Sequence, residues 1–274
     1  MSSDSIVRCF SVLMSVYIRE SPASLELALE SLLHSTLMAS EVVLVEDGPL
    51  TDDLYSIIEK YRSVLKIKSV KIERNIGLGK ALNLGLDACK HEIIARCDTD
   101  DINRPQRFEK QLQQFSLNPK LALLSGWVEE FIVAPGDAGV IRKVPEAMDI
   151  AKSARSRSPF NHPCVMFKKS AVIACGGYQD DYLYEDYALW VRMLSAGVVS
   201  DNIQEVLVDM RAGSDMHKRR GGVKYAKHEF NAQYGFYKLG FISFLQLLKN
   251  LAIRIPVRLA PSGVRSFIYT KILR

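Results

Sequence analysis

The sequence predicts an α/β protein: a mostly parallel, Rossmann-like sheet with helices on both faces, followed by a basic amphipathic helical segment at the C-terminus. Three observations predict it. Short apolar, β-branched runs alternate with stretches of helical periodicity through the first half of the 274 residues, the order of a doubly wound sheet. The first run, Phe10–Val16, is apolar without strict alternation, as in a strand buried on both faces. Charge is also split along the chain. Residues 216–274 hold 12 Lys/Arg and one acid, Glu229, so this stretch carries +11 and residues 1–215 carry −6 of the net +5.

In chain order, Phe10–Val16 reads as a strand and Ser24–Leu37 as a helix. Glu41–Val45 is a strand, Thr51–Tyr61 a helix, Lys68–Ile72 a strand, Leu78–Cys89 a helix and Ile93–Arg96 a strand. Asn103 is placed to cap a helix with Pro105 in its first turn. Beyond it, Leu121–Val128, Phe131–Val133 and Cys164–Phe167 read as strands and Asp186–Ala196 as a helix. Val198–Met210 reads as extended chain, and residues from Met216 onward as helical. The boundary between the main domain and the tail is expected at residues 235/236. In the tail, Ser243, Gln246, Lys249, Asn250 and Arg254 form one polar stripe, with Phe241, Phe244, Leu245, Leu248 and Leu251 over much of the rest, until Pro256 breaks the helix.

Composition narrows the class. Hydrophobic residues make up 48% and charged residues 24%, a globular balance. The five cysteines are widely spaced with no C-x-x-C, which argues against a disulfide framework or zinc site and for a reducing compartment. Met1–Arg8 is polar and is no secretory signal. The longest uncharged C-terminal run, Leu239–Leu248, is half of the roughly 20 residues that a membrane span needs. The basic tail points to an anionic surface as partner, and no base-reading motif points to nucleic acid.

The chemistry lies at the strand ends. In open α/β sheets, ligands sit beyond the carboxyl ends of the strands. The first strand runs into Ser15 and Tyr17, the second into Glu46-Asp47-Gly48, the third into Arg74-Asn75 and the fourth into Asp98-Thr99-Asp100-Asp101. Carboxylates gathered on one rim repel unless a cation joins them, and a hard divalent ion such as Mg²⁺ or Mn²⁺ meets that need. Each acid taken alone is an ordinary turn residue; three in four positions after a buried strand are not.

The ordered set FSVLMSVY (10–17), VVLVEDG (42–48), RNIGLGKALN (74–83), ARCDTDD (95–101), NHPCVMF (161–167) and YEDYALW (184–190) resembles the family 2 glycosyltransferases of GT-A fold. It is especially similar to bacterial enzymes that build O-antigen and exopolysaccharide repeat units. The resemblance spans residues 9–222. It implies an inverting transfer from a nucleotide-sugar, a UDP-sugar by preference, to a hydroxyl of a lipid-linked saccharide; the basic amphipathic tail is expected to dock the enzyme on the inner face of the cytoplasmic membrane. It implies donor contacts by Ser15, Tyr17, Asp47, Asn75, Lys80, Asp98, Arg219 and Arg220. Asp98 and Asp100 would hold Mn²⁺ or Mg²⁺, Asp186 would be the catalytic base, and Glu185 and Trp190 would stand on the acceptor side.

Other readings compete. Gly77-Leu78-Gly79 opens a helix after a strand, but Leu82 stands where a dinucleotide fingerprint needs its third glycine. Asp186 stands where an N-cap is favoured. His162 fits a structural role as well as a donor contact. A sugar nucleotidyltransferase would carry a Gly-rich basic loop after the first strand, and Ser15–Arg19 is not one. A non-catalytic membrane scaffold would show no donor-dependent stabilisation.

Overall fold

The computed structural model describes residues 9–179, 181, 183–212, 221–261 and 263. Nine strands form one sheet: β1 (Ser11–Val16), β2 (Glu41–Asp47), β3 (Ile67–Ile72), β4 (Ile93–Arg96), β5 (Ile102–Asn103), β6 (Leu123–Phe131), β7 (Val140–Arg142), β8 (Met166–Lys168) and β9 (Ser200–Arg211), in the order β3-β2-β1-β4-β8-β6-β9-β5, with β7 on β6. The helices are α1 (Pro22–Leu33), α2 (Asp52–Arg62), α3 (Leu78–Ala88), α4 (Arg107–Leu117), α5 (Ile150–Ala154), α6 (Lys169–Ala174), α7 (Glu185–Ser195), α8 (Val223–Lys238) and α9 (Phe244–Leu259).

The first four strands are parallel, so their carboxyl ends share one rim. Beyond β4 the sheet is mixed: β8 runs antiparallel to both β4 and β6, and β9 parallel to β6. Both faces are covered. Val12, Met14 and Val16 enter a core with Leu25 and Leu29 of α1, Ile58 of α2 and Phe108 of α4. Leu13, Val43 and Val45 face the other way, against Leu82 and Leu86 of α3 and Leu189 and Trp190 of α7. This two-sided burial is why β1 and β2 are apolar without alternation. Helix α3 lies close because Gly85 has no side chain: a Cβ there would sit 2.4 Å from Leu13 Cδ1 and 2.6 Å from Val45 Cγ2. The tight-packing glycine is thus Gly85, six residues beyond Gly79 of the pair that the sequence draws attention to.

Several local expectations are corrected. Asn103 lies in β5 and caps nothing; its amide donates to Ser31 Oγ and its carbonyl oxygen accepts from the buried Arg107. The two strands expected around residues 121–133 are one continuous strand, β6. Cys164 belongs to a 3₁₀ turn, His162–Cys164, before β8.

The tail also differs from expectation. Helix α9 continues through Pro256 to Leu259, and it is turned polar side in. Asn250 Nδ2 donates to Gln233 Oε1 (2.7 Å) and Arg155 O (2.8 Å). Arg254 and Arg258 each reach the fully buried carboxylate of Glu229 on α8, at 2.9 Å. Burial pushes the Glu229 carboxyl up, but the two guanidiniums and the Tyr184 hydroxyl outweigh it and hold the group below its usual range. Leu247 is buried, while Phe244, Leu245, Leu248, Ile253 and Leu259 are exposed. Among the described residues no helix is long and apolar enough to cross a membrane.

Glu229→Gln therefore leaves two inward-facing arginines without a counter-charge. Breaking a buried pair this way costs about 3–5 kcal/mol, and urea denaturation is expected to show a loss of that size. An unchanged midpoint would contradict the role assigned to Glu229.

Candidate active site

Two cavities adjoin the rim. The first, about 480 Å³, is lined by Ser15, Tyr17, Asp47, Asn75, Asp98 and Asp100, with Arg19, Glu20, Gly77, Leu78 and Thr99. Six of the expected donor and metal residues, from four separate strand ends, thus meet in one place. Lys80 is exposed on the first turn of α3 and does not line it. Arg219 and Arg220 lie outside the described residues.

The second cavity, about 500 Å³, shares Leu78 and Asp98 with the first and includes Glu185, Asp186, His162 and Arg96. Helix α7 begins at Glu185 with Tyr184 at the N-cap. Asp186 therefore lies inside the first turn, lining the cavity, and the N-cap alternative for it does not hold. Leu183, just before the pair, has φ +71°, a left-handed conformation that costs an L-residue about 1 kcal/mol or more. Trp190 is corrected: it is fully buried and lines neither cavity. It stands edge-on behind Phe160 and His162, which do line the second. His162 accepts or donates at Tyr178 Oη (3.0 Å), and burial, then the charge of Arg96, holds it neutral.

Backbone geometry fixes the floor of the first cavity. Asp47 accepts from the backbone N–H groups of Ile76 (2.8 Å) and Gly77 (3.2 Å) and from Asn75 Nδ2 (2.9 Å). Its carboxylate thereby folds the β3–α3 loop beneath the cavity while still bordering it. Gly48 makes this approach possible: φ is +92° and a Cβ would lie 2.9 Å from Asn75 N, so only glycine fits.

Comparison with known proteins is decisive at this point. The family model described as "Glycosyl transferase family 2" matches residues 11–175. The chain is a family 2 glycosyltransferase. It is 49% identical over 265 residues (97% of this chain, 96% of the relative) to an Escherichia coli protein named UDP-Gal:alpha-D-GlcNAc-diphosphoundecaprenol beta-1,3-galactosyltransferase. It is 42% identical (96% and 98% covered) to the amylovoran biosynthesis glycosyltransferase AmsE of Erwinia amylovora. Among solved structures it resembles Staphylococcus aureus TarS with UDP-GlcNAc (TM-score 0.67, 18% identity, 91% of this chain and 72% of that one). It also resembles the Pyrobaculum calidifontis mannosyltransferase PcManGT with GDP-Man and Mn²⁺ (TM-score 0.67, 16% identity, 96% and 75%). The fold is GT-A, as the sequence resemblance implies.

The electrostatics of this glycosyltransferase centre on Asp98, Asp100 and Asp101, whose nearest carboxylate oxygens all lie within 4.8 Å of one another. Arg96, buried at the end of β4, grips Asp98 in a bidentate pair, Nη1 to Oδ2 at 2.6 Å and Nη2 to Oδ1. The other two acids fare worse. Burial, then the charges of Asp98 and Glu20, pushes the Asp100 carboxyl up to about 7. Burial, then Asp98 and Asp100, raises Asp101 well above its ordinary value. Asp101 Oδ1 accepts the Arg211 N–H (2.7 Å), but its buried Oδ2 has no hydrogen-bond partner. An all-oxygen set with an orphaned, buried acceptor and unrelieved negative charge fits a hard divalent cation.

Sequence reasoning missed three contributors: Arg96, Glu20 (which accepts from Thr99 Oγ1 at 2.6 Å) and Arg211. Arg96 had a readable signal, a lone cation ending an otherwise apolar buried strand. Glu20 and Arg211 had none, because only the fold brings residues 20, 100 and 211 together.

A carboxyl raised from 3.8 to about 7 on folding binds more protons in the folded than in the unfolded protein between those values. Stability must then fall as pH rises through that window. In EDTA, the unfolding midpoint is expected to drop between about pH 4 and pH 7, and Asp100→Asn to flatten the drop. At pH 7.5, Mn²⁺ is expected to raise the wild-type midpoint and leave that of Asp100→Asn nearly unmoved. A wild type indifferent to both pH and Mn²⁺ would refute the cation site.

Proposed function

We propose that this glycosyltransferase moves a hexose from a UDP-sugar onto a hydroxyl of a sugar carried by a lipid diphosphate, in bacterial surface-polysaccharide synthesis. The observation that carries the reading is the pair of adjoining cavities that share Asp98, one holding the expected nucleotide residues and the other Asp186. The name of the relative at 49% identity makes UDP-galactose the donor to try first and a diphosphate-linked N-acetylglucosamine the acceptor.

In this reading the nucleoside diphosphate lies along Ser15, Tyr17, Asp47 and Asn75, with Lys80, Arg219 and Arg220 around it. Asp98, Asp100 and Asp101 would hold Mn²⁺ or Mg²⁺, which when bound neutralises charge on the departing diphosphate. Asp186 takes the proton from the acceptor hydroxyl as its oxygen attacks the anomeric carbon from the face opposite the leaving group, so configuration inverts. Neighbouring Glu185 orients the acceptor. Burial raises the Glu185 carboxyl, with Asp186 and Asp181 adding to the rise.

The same reading places the enzyme on the cytoplasmic face of the membrane, with residues 1–235 supplying catalysis and 236–274 the membrane contact. Its support is the outward apolar stripe of α9, where Leu245 is 77% and Leu248 48% exposed. A helix of this kind lies in the interface, and basic residues add about 1 kcal/mol each near anionic lipid.

Asp186→Asn is nearly isosteric. It is expected to lower kcat by roughly 10²–10⁴ while UDP-sugar affinity, measured by calorimetry, stays within about twofold. Near-normal turnover would move the base elsewhere. For the membrane contact, the joint change Leu245→Ser and Leu248→Ser is expected to weaken binding to anionic vesicles about tenfold or more, with the unfolding midpoint unmoved. Binding of the wild type should also weaken in high salt. Equal binding to neutral and anionic vesicles would count against this attachment.

A further inference from the structure

A third cavity, of about 590 Å³, lies away from the rim, between α9 and the chain that leaves α5. Six cationic side chains line it (Lys152, Arg155, Arg157, Lys249, Arg254 and Arg258) and no carboxylate does. Arg254 and Arg258, at its inner side, are neutralised in part by Glu229. Lys152, Arg155, Arg157 and Lys249 have no ion-pair partner among the described residues and are exposed. The walls are joined: Asn250 Nδ2 donates to Arg155 O at 2.8 Å, and Arg254 Nη2 donates to Ser156 O. The concave shape is therefore held by hydrogen bonds from the buried face of α9, and the excess positive charge is held with it.

Two connections give this cavity a direction. The segment 155–157 lines it, and the next residues, Ser158, Phe160, Asn161 and His162, line the cavity that contains Asp186. Tyr187, directly after Asp186, donates from its hydroxyl to Ala154 O at 2.6 Å. One tyrosine side chain thus separates the backbone beside Asp186 from the residue before Arg155. On the other side, Ile253 and Val257 line the basic cavity, and the exposed Leu245, Leu248 and Leu259 continue along the neighbouring face of α9. The order across the surface is carboxylate, then cations, then apolar stripe.

A sugar on a lipid diphosphate has that same order: a ring bearing the attacking hydroxyl, a diphosphate on its anomeric carbon and an apolar chain beyond. We propose that the cavity formed by Lys152, Arg155, Arg157 and Lys249 binds the diphosphate of the lipid-linked acceptor, with the lipid leaving across α9. The inference rests on the acceptor class proposed above. Guanidinium groups suit this ligand because they bind phosphate oxygens in pairs. The site makes recognition depend on the diphosphate as well as on the sugar.

The test uses the full chain and two water-soluble acceptors with the same sugar and the same short alkyl chain. In one the two are joined by a diphosphate, in the other by an ether. Arg155→Ala with Arg157→Ala removes two exposed side chains that have no ion-pair partner among the described residues. For the diphosphate acceptor the double variant is expected to raise KM about tenfold or more, the loss of one or two charge-assisted hydrogen bonds, with kcat and donor KM nearly unchanged. The ether acceptor, a poorer substrate of the wild type, should react equally with wild type and variant. Arg155→Lys with Arg157→Lys should restore part of the lost affinity.

Equal KM rises for both acceptors would mean a structural role and overturn the proposal. So would unchanged kinetics in solution with weaker binding only to anionic vesicles, which would assign these arginines to bilayer headgroups. Both outcomes leave the acceptor class standing. A wild type that transfers to neither acceptor but does hydrolyse or transfer its donor sugar elsewhere would overturn the acceptor class and this site with it.

Discussion

The ion pair between Arg96 and Asp98 is the interaction on which the active-site rim depends. Three carboxylates within 4.8 Å repel by about 3–4 kcal/mol per pair at an effective dielectric of about 20. A rim so charged needs positive charge built in below it. Arg96 supplies this from the last position of β4, with its side chain 2% exposed. Its backbone is fixed in turn by Arg107, which is fully buried and donates to Arg96 O at 2.8 Å and Val165 O at 3.3 Å. The pair relieves Asp98 and leaves Asp100 and Asp101 poised for a cation. In the function proposed above, cation binding would thereby be linked to the most buried part of the sheet.

A second charge centre does the same for the tail. Glu229 is a carboxylate in the interior that two arginines of α9 neutralise. Burying such a group is unfavourable unless it is paired and hydrogen-bonded, so α9 is held in one rotational setting. Hydrophobic packing alone would favour the opposite setting, with the leucines inward. The consequence is an exposed apolar face on α9, and large exposed apolar surface marks interaction sites.

These two centres also show where sequence reading succeeds. The first four strands and their helices were legible because two-sided burial removes polar residues from a strand, and the polar residues that return at strand ends stand out. Ser15, Tyr17, Asp47, Asn75, Asp98 and Asp100 stand out on that basis, and the fold gathers them around one cavity. Residues whose role depends on depth do not stand out. Trp190 is put on the acceptor side by the family resemblance alone and is core in space. Asn103 resembles a cap and is instead a partner of Arg107. The polar stripe of α9 is readable as a stripe, but its direction follows from Glu229, on another helix, and periodicity carries no information about that. Pro256 does not end α9, because the last turn is anchored from outside: Arg258 O accepts the Gly222 N–H at 2.8 Å.

The two centres are linked through a short path. Tyr184, which holds Glu229 at 2.5 Å, is the N-cap residue of α7, and the next two residues are Glu185 and Asp186. The strained Leu183 precedes it. The Asp186 carboxylate that lines the second cavity is thus placed by a residue whose hydroxyl is held by the network that seats α9. Strain at Leu183 persists only because its neighbours over-determine it, and Tyr184 is one such neighbour. Any force that shifts α9, including contact of its apolar face with a surface, acts on Glu229 first and on the start of α7 next. Seating the tail and positioning Asp186 are in this sense one structural task, performed by the same buried carboxylate.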